Sequence, residues 1–269
     1  PGRFSHVTFL CEPDFRDPEA VDAYAALQQR AAAVARELDP GVRVASPGFN
    51  SGIEPMQTYL ESGIGNSADI IDIHSYATSL PIMEEWMVRQ RELVERYAPG
   101  KELWSTEIAP RWTVANDPRQ MADRLIKIFV IGMRRDFKKL FWFNWRPRAF
   151  YRWDAALVEE DRRVTPRPAW FAYRTLVRQL QGRTFAEELD TVADARAFRF
   201  SGPDDSEVIV LWREDGTRDP VRLPLDGDAG TALSSVDYLG KPHPVEVREG
   251  YADMRAPHPV FIEVTRPTD

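Results

Sequence analysis

The chain has 269 residues, 43% apolar and 29% charged, the balance of a globular protein long enough to bury a core without cross-links. Its net charge of −7 and the absence of a long basic run exclude the electrostatic footprint of a nucleic-acid binder. A single cysteine, Cys11, excludes an internal disulfide, four scattered histidines suggest no metal or cofactor, and no stretch of ~18 apolar residues is present to span a membrane.

The chain opens almost directly in an apolar run without an initiator Met, so further polypeptide is expected upstream. The first ~180 residues alternate short apolar runs with helical patterns. Strands are expected at 7–11, 42–45, 70–74, 102–106 and 140–144, each rich in β-branched or aromatic residues and each ending in polar ones. Helices are expected at 18–38, which stops before Pro40-Gly41, and at 82–97, which stops before Pro99-Gly100, then at 118–135 and 169–180. Such alternation predicts a parallel sheet packed by helices, with chemistry gathered at the C-terminal strand ends. From about residue 183 the texture changes to short alternating runs at 195–200, 207–212, 221–225, 234–238, 245–247 and 260–264, separated by turns such as Asp215-Gly216. That pattern reads as a small antiparallel β-sandwich.

The polar residues at the strand ends carry the functional expectation. Glu12 follows an apolar strand and precedes Pro13, which stops the strand. Glu107 closes the run KELWSTE. Each glutamate alone reads equally well as a structural ion pair. On strands three apart in a closed barrel they would face each other across its mouth. His74 and Tyr76 follow IIDI, Asn50 follows the second strand region, and Trp145 follows LFWFN. The eight Trp, eight Tyr and 14 Phe include rings that can stack on a flat ligand, although core packing explains most of them. Trp112 and Asn144 are further site-lining candidates, and Arg146, Arg148 and Arg152 read as a solvated loop paired with acids such as Asp154.

In order, Cys11-Glu12-Pro13-Asp14, Asp72-Ile73-His74-Ser75-Tyr76, Trp104-Ser105-Thr106-Glu107 and Phe141-Trp142-Phe143-Asn144-Trp145 resemble the motifs of clan A retaining glycoside hydrolases. The TPRPAWFAYRTLVRQL segment and the β region behind it are most similar to family 39 and its relatives. The resemblance implies an α/β fold: strands 4–8 of a (β/α)8 TIM barrel in residues 1–182, strands 1–3 missing from the chain, and an accessory β-sandwich in 183–269. It implies a retaining hydrolase of O-glycosidic bonds, with Glu107 as nucleophile and Glu12 as acid/base. His74, Tyr76, Asn50, Trp145 and Cys11 are then expected to bind the sugar. No cofactor or metal is implied. The expected partners are an oligosaccharide, polysaccharide or glycoside, and an upstream segment or second chain that completes the barrel. An extracellular or periplasmic location is favoured over a cytoplasmic one.

Two departures stand out. Cys11 occupies the place of the clan's Asn, which bonds the sugar 2-hydroxyl, and a thiol is a weak hydrogen-bonding group. Five strands also cannot close an eight-stranded barrel. A non-catalytic carbohydrate-binding protein and a transglycosylase are the rival readings.

Overall fold

The structure is a computed structural model that describes residues 4–265 apart from 18, 51, 112–116, 148–154, 192–193, 204–205, 225–231 and 249. Trp112, Arg148, Arg152 and Asp154 therefore lie outside the described residues. The chain divides into two compact units, residues 1–112 with 135–144, and residues 113–134 with 145–269.

The first unit is built on parallel strands. Strand β1 (His6–Val7) pairs in parallel with β2 (Arg43–Val44), and a Cys11–Gly48 bridge prolongs the pairing. Parallel bridges Ala45–Ile70 and Phe49–Ile73 lead on to β3 (Ile70–Ser75). Next come β4 (Glu102–Ile108) and β5 (Phe137–Trp142), both parallel to their neighbours. Spatial order thus follows chain order, as the strand–helix alternation predicts. β3 is buried along its whole length, which suits a strand covered on both faces.

The connections are helical. α1 (Pro13–Arg16) is a single turn behind Glu12, and α2 (Val21–Leu38) stops before Pro40. α3 (Ile53–Glu61) was not expected from the sequence, because Pro55 in its first turn and the glycine at its N-cap disguise it. α4 (Leu80–Tyr97) starts at Ser79, whose hydroxyl accepts the Ile82 N–H at 3.3 Å, and buries Met83, Met87, Leu93 and Val94.

β5 begins three residues before the expected 140–144 and ends at Trp142. Lys138 and Lys139 made its first half read as polar. Lys138 pairs with Asp136, and the Lys139 ammonium lies 4.3 Å from the Trp104 ring centroid. β1 in turn is shorter than the expected 7–11, with residues 8–10 unladdered.

The second unit holds α5 (Pro118–Arg134) and α6 (Pro168–Leu180), which pack on each other, and two antiparallel sheets. The strands are β6 (Thr184–Leu189), β7 (Ala195–Ser201), β8 (Glu207–Arg213), β9 (Pro220–Pro224), β10 (Ala232–Asp237), β11 (Glu246–Arg248), β12 (Tyr251–Arg255) and β13 (Val260–Thr265). One sheet has the order β10-β13-β8-β7-β6 and the other β11-β12-β9. Ala197, Ile209 and Leu211 of the first sheet share one apolar cluster with Leu223, Ala252 and Met254 of the second, which makes the pair a sandwich. β6 and β12 escaped the sequence reading, since TFAEEL and YADMR lack a clean apolar alternation.

Candidate active site

The site lies in the first unit, at the C-terminal ends of the parallel strands. Glu12 comes directly after the Cys11 bridge, Asn50 after the Phe49 bridge, Tyr76 one residue past β3, and Glu107 next to last in β4. Glu12 adopts a left-handed backbone (φ 53°, ψ 49°), which is uncommon for a residue with a side chain and clusters at functional sites. Its N–H donates to the Gly48 carbonyl at 3.0 Å, and Pro13 starts the turn that follows.

One ring organises the carboxylates. His74 Nδ1 lies 2.8 Å from Glu12 Oε1 and 3.7 Å from Glu107 Oε2. The Asn50 side-chain amide donates to the same Glu12 Oε1 at 2.8 Å. The Tyr76 hydroxyl donates to Glu107 Oε2 in a short hydrogen bond. The side chain of Glu12 is 17% exposed and that of Glu107 29%, against 4% for His74, so two acids open to solvent stand on a buried imidazole.

A bulge brings His74 and Glu107 together. Asp72 pairs with Trp104, but His74 pairs with Glu107, so β4 carries one extra residue opposite β3. Without it His74 would face Thr106. Bulges commonly re-aim a side chain in this way. Buried Asp72 satisfies the bulge: its Oδ1 accepts the Thr106 N–H at 2.9 Å and its Oδ2 accepts the Thr106 hydroxyl at 2.6 Å. Burial raises the Asp72 carboxyl above its ordinary range, although the Thr106 bonds work against that. Thr106 Oγ1 also lies 3.2 Å from His74 Nε2.

Gly48 makes room for the ring. A Cβ there would stand 2.1 Å from His74 Nε2, so the close approach requires glycine. Asp14, also buried, accepts the Asn50 N–H through both oxygens and fixes that loop.

Of the residues expected at the site, Glu12, Asn50, His74, Tyr76 and Glu107 are linked by these contacts, and exposed Cys11 is next to Glu12. Burial, then the charges of Glu12 and Glu107, raise the Cys11 thiol. Trp145 belongs to the second unit, where its half-exposed indole meets Trp170 edge-on at 5.3 Å. Asp14, Gly48 and Asp72 were not singled out from sequence. Asp14 and Gly48 each follow a proline, where an acid or a glycine carries no signal of burial, whereas Asp72 stands inside the apolar run IIDI, a signal that could have found it.

Residues 4–171 match the profile of the glycosyl hydrolase catalytic core. Among solved structures, the chain is similar to a family 39 glycoside hydrolase from the gut symbiont Bacteroides cellulosilyticus, at 18% identity and a TM-score of 0.76, covering 96% of this chain and 57% of that one. It is also similar to a family 39 β-xylosidase from Caulobacter crescentus, at 18% identity and a TM-score of 0.66, over 96% and 66% of the two chains. A family 86 protein in complex with neoagarooctaose matches at 13% identity and a TM-score of 0.61, over 97% and 51%. The chain thus spans between 51% and 66% of the length of these structures. No curated protein matches it. With the profile matched over more than half of its length, the chain belongs to the glycosyl hydrolase catalytic core family.

Proposed function

We propose that the protein hydrolyses O-glycosidic bonds with retention, by double displacement on Glu107 and Glu12. The observation that carries this reading is that both carboxylates converge on His74 Nδ1, at 2.8 and 3.7 Å. Those two oxygens can be no farther apart than these distances laid end to end, about 6.5 Å. Retaining enzymes hold their two carboxyl groups about 5–5.5 Å apart, while inverting ones leave about 6.5–9.5 Å for a water.

The contacts support these roles. The Tyr76 hydroxyl occupies Oε2 of Glu107, leaving Oε1 to attack the anomeric carbon. Among the described residues, Asn50 and His74 both meet Oε1 of Glu12, and this carboxyl protonates the leaving group and then draws a proton from water. Similarity to a β-xylosidase and to a protein seen with an agaro-oligosaccharide supports an oligosaccharide, polysaccharide or glycoside substrate. Transglycosylation would use the same two carboxylates with a sugar acceptor in place of water. Residues 1–182 are proposed as the C-terminal part of the barrel and 183–269 as an accessory sandwich. An upstream segment or a second chain would complete the barrel beside β1, where an apolar groove is lined by Phe4, Phe9, Leu27 and Leu38.

The test is kinetic, with aryl glycosides of graded leaving group. Glu107→Ala is expected to lose on the order of 10⁴-fold in kcat/KM. Glu12→Ala should lose least on the most activated leaving groups and regain turnover with azide. Unchanged hydrolysis in Glu107→Ala would overturn the assignment. A wild-type protein that binds sugars without turnover would favour a carbohydrate-binding role.

A further inference from the structure

Cys11 Sγ, a Glu12 carboxylate oxygen and a His74 ring nitrogen all lie within 4.8 Å of one another. We propose that these three side chains form a binding site for a borderline-soft divalent cation of the Zn²⁺ and Cd²⁺ class, and that its occupation blocks Glu12. The chemistry of the donors selects the ion. A thiolate and an imidazole with one carboxylate suit Zn²⁺ and its heavier congener, whereas Mg²⁺ and Ca²⁺ demand oxygen ligands.

The hydrogen bonds around His74 leave the right nitrogen for a metal. The Thr106 hydroxyl gives its proton to Asp72 Oδ2 at 2.6 Å. Its oxygen then accepts the Nε2 proton of His74 at 3.2 Å. Nδ1 therefore carries the ligating lone pair, aimed at Glu12, and the outer nitrogen is anchored as metal-bound histidines usually are. In the metal-free protein Nδ1 and Oε1 share a hydrogen bond of 2.8 Å. The Asn50 amide holds the same carboxylate in place.

A tetrahedral zinc with bonds of about 2.0–2.3 Å keeps its ligand atoms roughly 3.3–3.8 Å apart. The sulfur needs to close by about an ångström, which rotation of the exposed Cys11 side chain supplies, while Nδ1 and Oε1, 2.8 Å apart, need to open by roughly half an ångström. Three protein ligands leave the fourth position to water, on the exposed side of Cys11. Binding forms metal–sulfur, metal–nitrogen and metal–oxygen bonds and releases two protons to solvent, that of the thiol and the one shared by Glu12 and His74. With the metal in place Glu12 has no proton to give a leaving group. That consequence rests on the hydrolase reading, whereas the binding does not.

The experiment is a Cd²⁺ titration of the full chain, followed by the ultraviolet thiolate-to-cadmium band. Wild type should saturate at one Cd²⁺, Zn²⁺ should displace it, and Mg²⁺ should not. Glu12→Gln keeps the thiol and the shape of the site, and is expected to weaken Cd²⁺ binding at least tenfold. Cys11→Ser should abolish the band. No band in wild type, or equal affinity in Glu12→Gln, would overturn the site, since a bare thiol would then account for any binding. An inactive wild type that still shows Glu12-dependent binding would overturn the hydrolase reading and leave the site. An active wild type should be inhibited by Zn²⁺ and restored by a chelator, and Zn²⁺-insensitive hydrolysis would overturn the proposed block.

Discussion

At the scale of single residues, the site depends on how closely backbone and ring approach. Gly48 is the sharpest case, because any Cβ would overlap His74 Nε2. Gly48→Ala is expected to push the ring off both carboxylates and to cost about 100-fold in kcat/KM, since misplacement of about an ångström has that effect. Circular dichroism should show the fold intact. Normal activity in this variant would mean that His74 does not position the pair. Tyr76→Phe removes a donor from Glu107 while keeping the ring that packs on Phe143. A hydrogen bond to a charged group is worth about 1.5–3 kcal/mol, so kcat should fall roughly 10- to 100-fold in steady-state assays. Glu12 stood out in the sequence because it ends an apolar run, where an acid is out of place, and Glu107 because it closes the strand candidate KELWSTE. Gly48 was not, because its requirement comes from a side chain 26 positions along the chain, and Gly48 follows Pro47 as turn glycines do.

At the scale of elements, the parallel order of β1 to β5 was legible from strand–helix alternation, but the bulge in β4 was not. Nothing in KELWSTE distinguishes a regular strand from one with an extra residue, and the difference decides whether Thr106 or Glu107 faces His74. Asp69 shows a second tie that sequence leaves silent. Its carboxylate accepts the Val44 N–H of β2 at 2.8 Å and the Arg36 guanidinium of α2 at 2.9 Å. Partial burial opposes ionisation, but these bonds outweigh it and hold the carboxyl below its ordinary range. A depressed folded-state value means stabilisation that is fully present above the unfolded value of about 3.9 and lost as pH falls through the folded one. Asp69→Ala is therefore expected to lower the Tm at pH 7 by about 2–4 °C. The gap to wild type should narrow as pH falls through the folded-state value. A gap that stays constant to pH 2 would show that the charge contributes nothing.

At the scale of the whole molecule, the chain carries an apolar surface that the proposed upstream segment or second chain would cover. Leu27 and Leu38 of α2 are 50% and 71% exposed, and Phe4 is 70% exposed beside them. At micromolar concentration the isolated chain should self-associate in sedimentation velocity, and Leu27→Glu with Leu38→Glu should reduce that association. A wild type that stays monomeric at high concentration would count against the groove as an unfinished interface. The β-sandwich was legible from its turn spacing, while β6 and β12 were hidden by charged residues that alternate poorly. The proposed hydrolysis requires Glu107 and Glu12 to act as a retaining pair around His74. The most direct test is proton NMR of the first-formed sugar during hydrolysis of an anomerically pure substrate. A retaining pair releases an anomer with the configuration of the substrate, and an inverted first product would rule that pairing out.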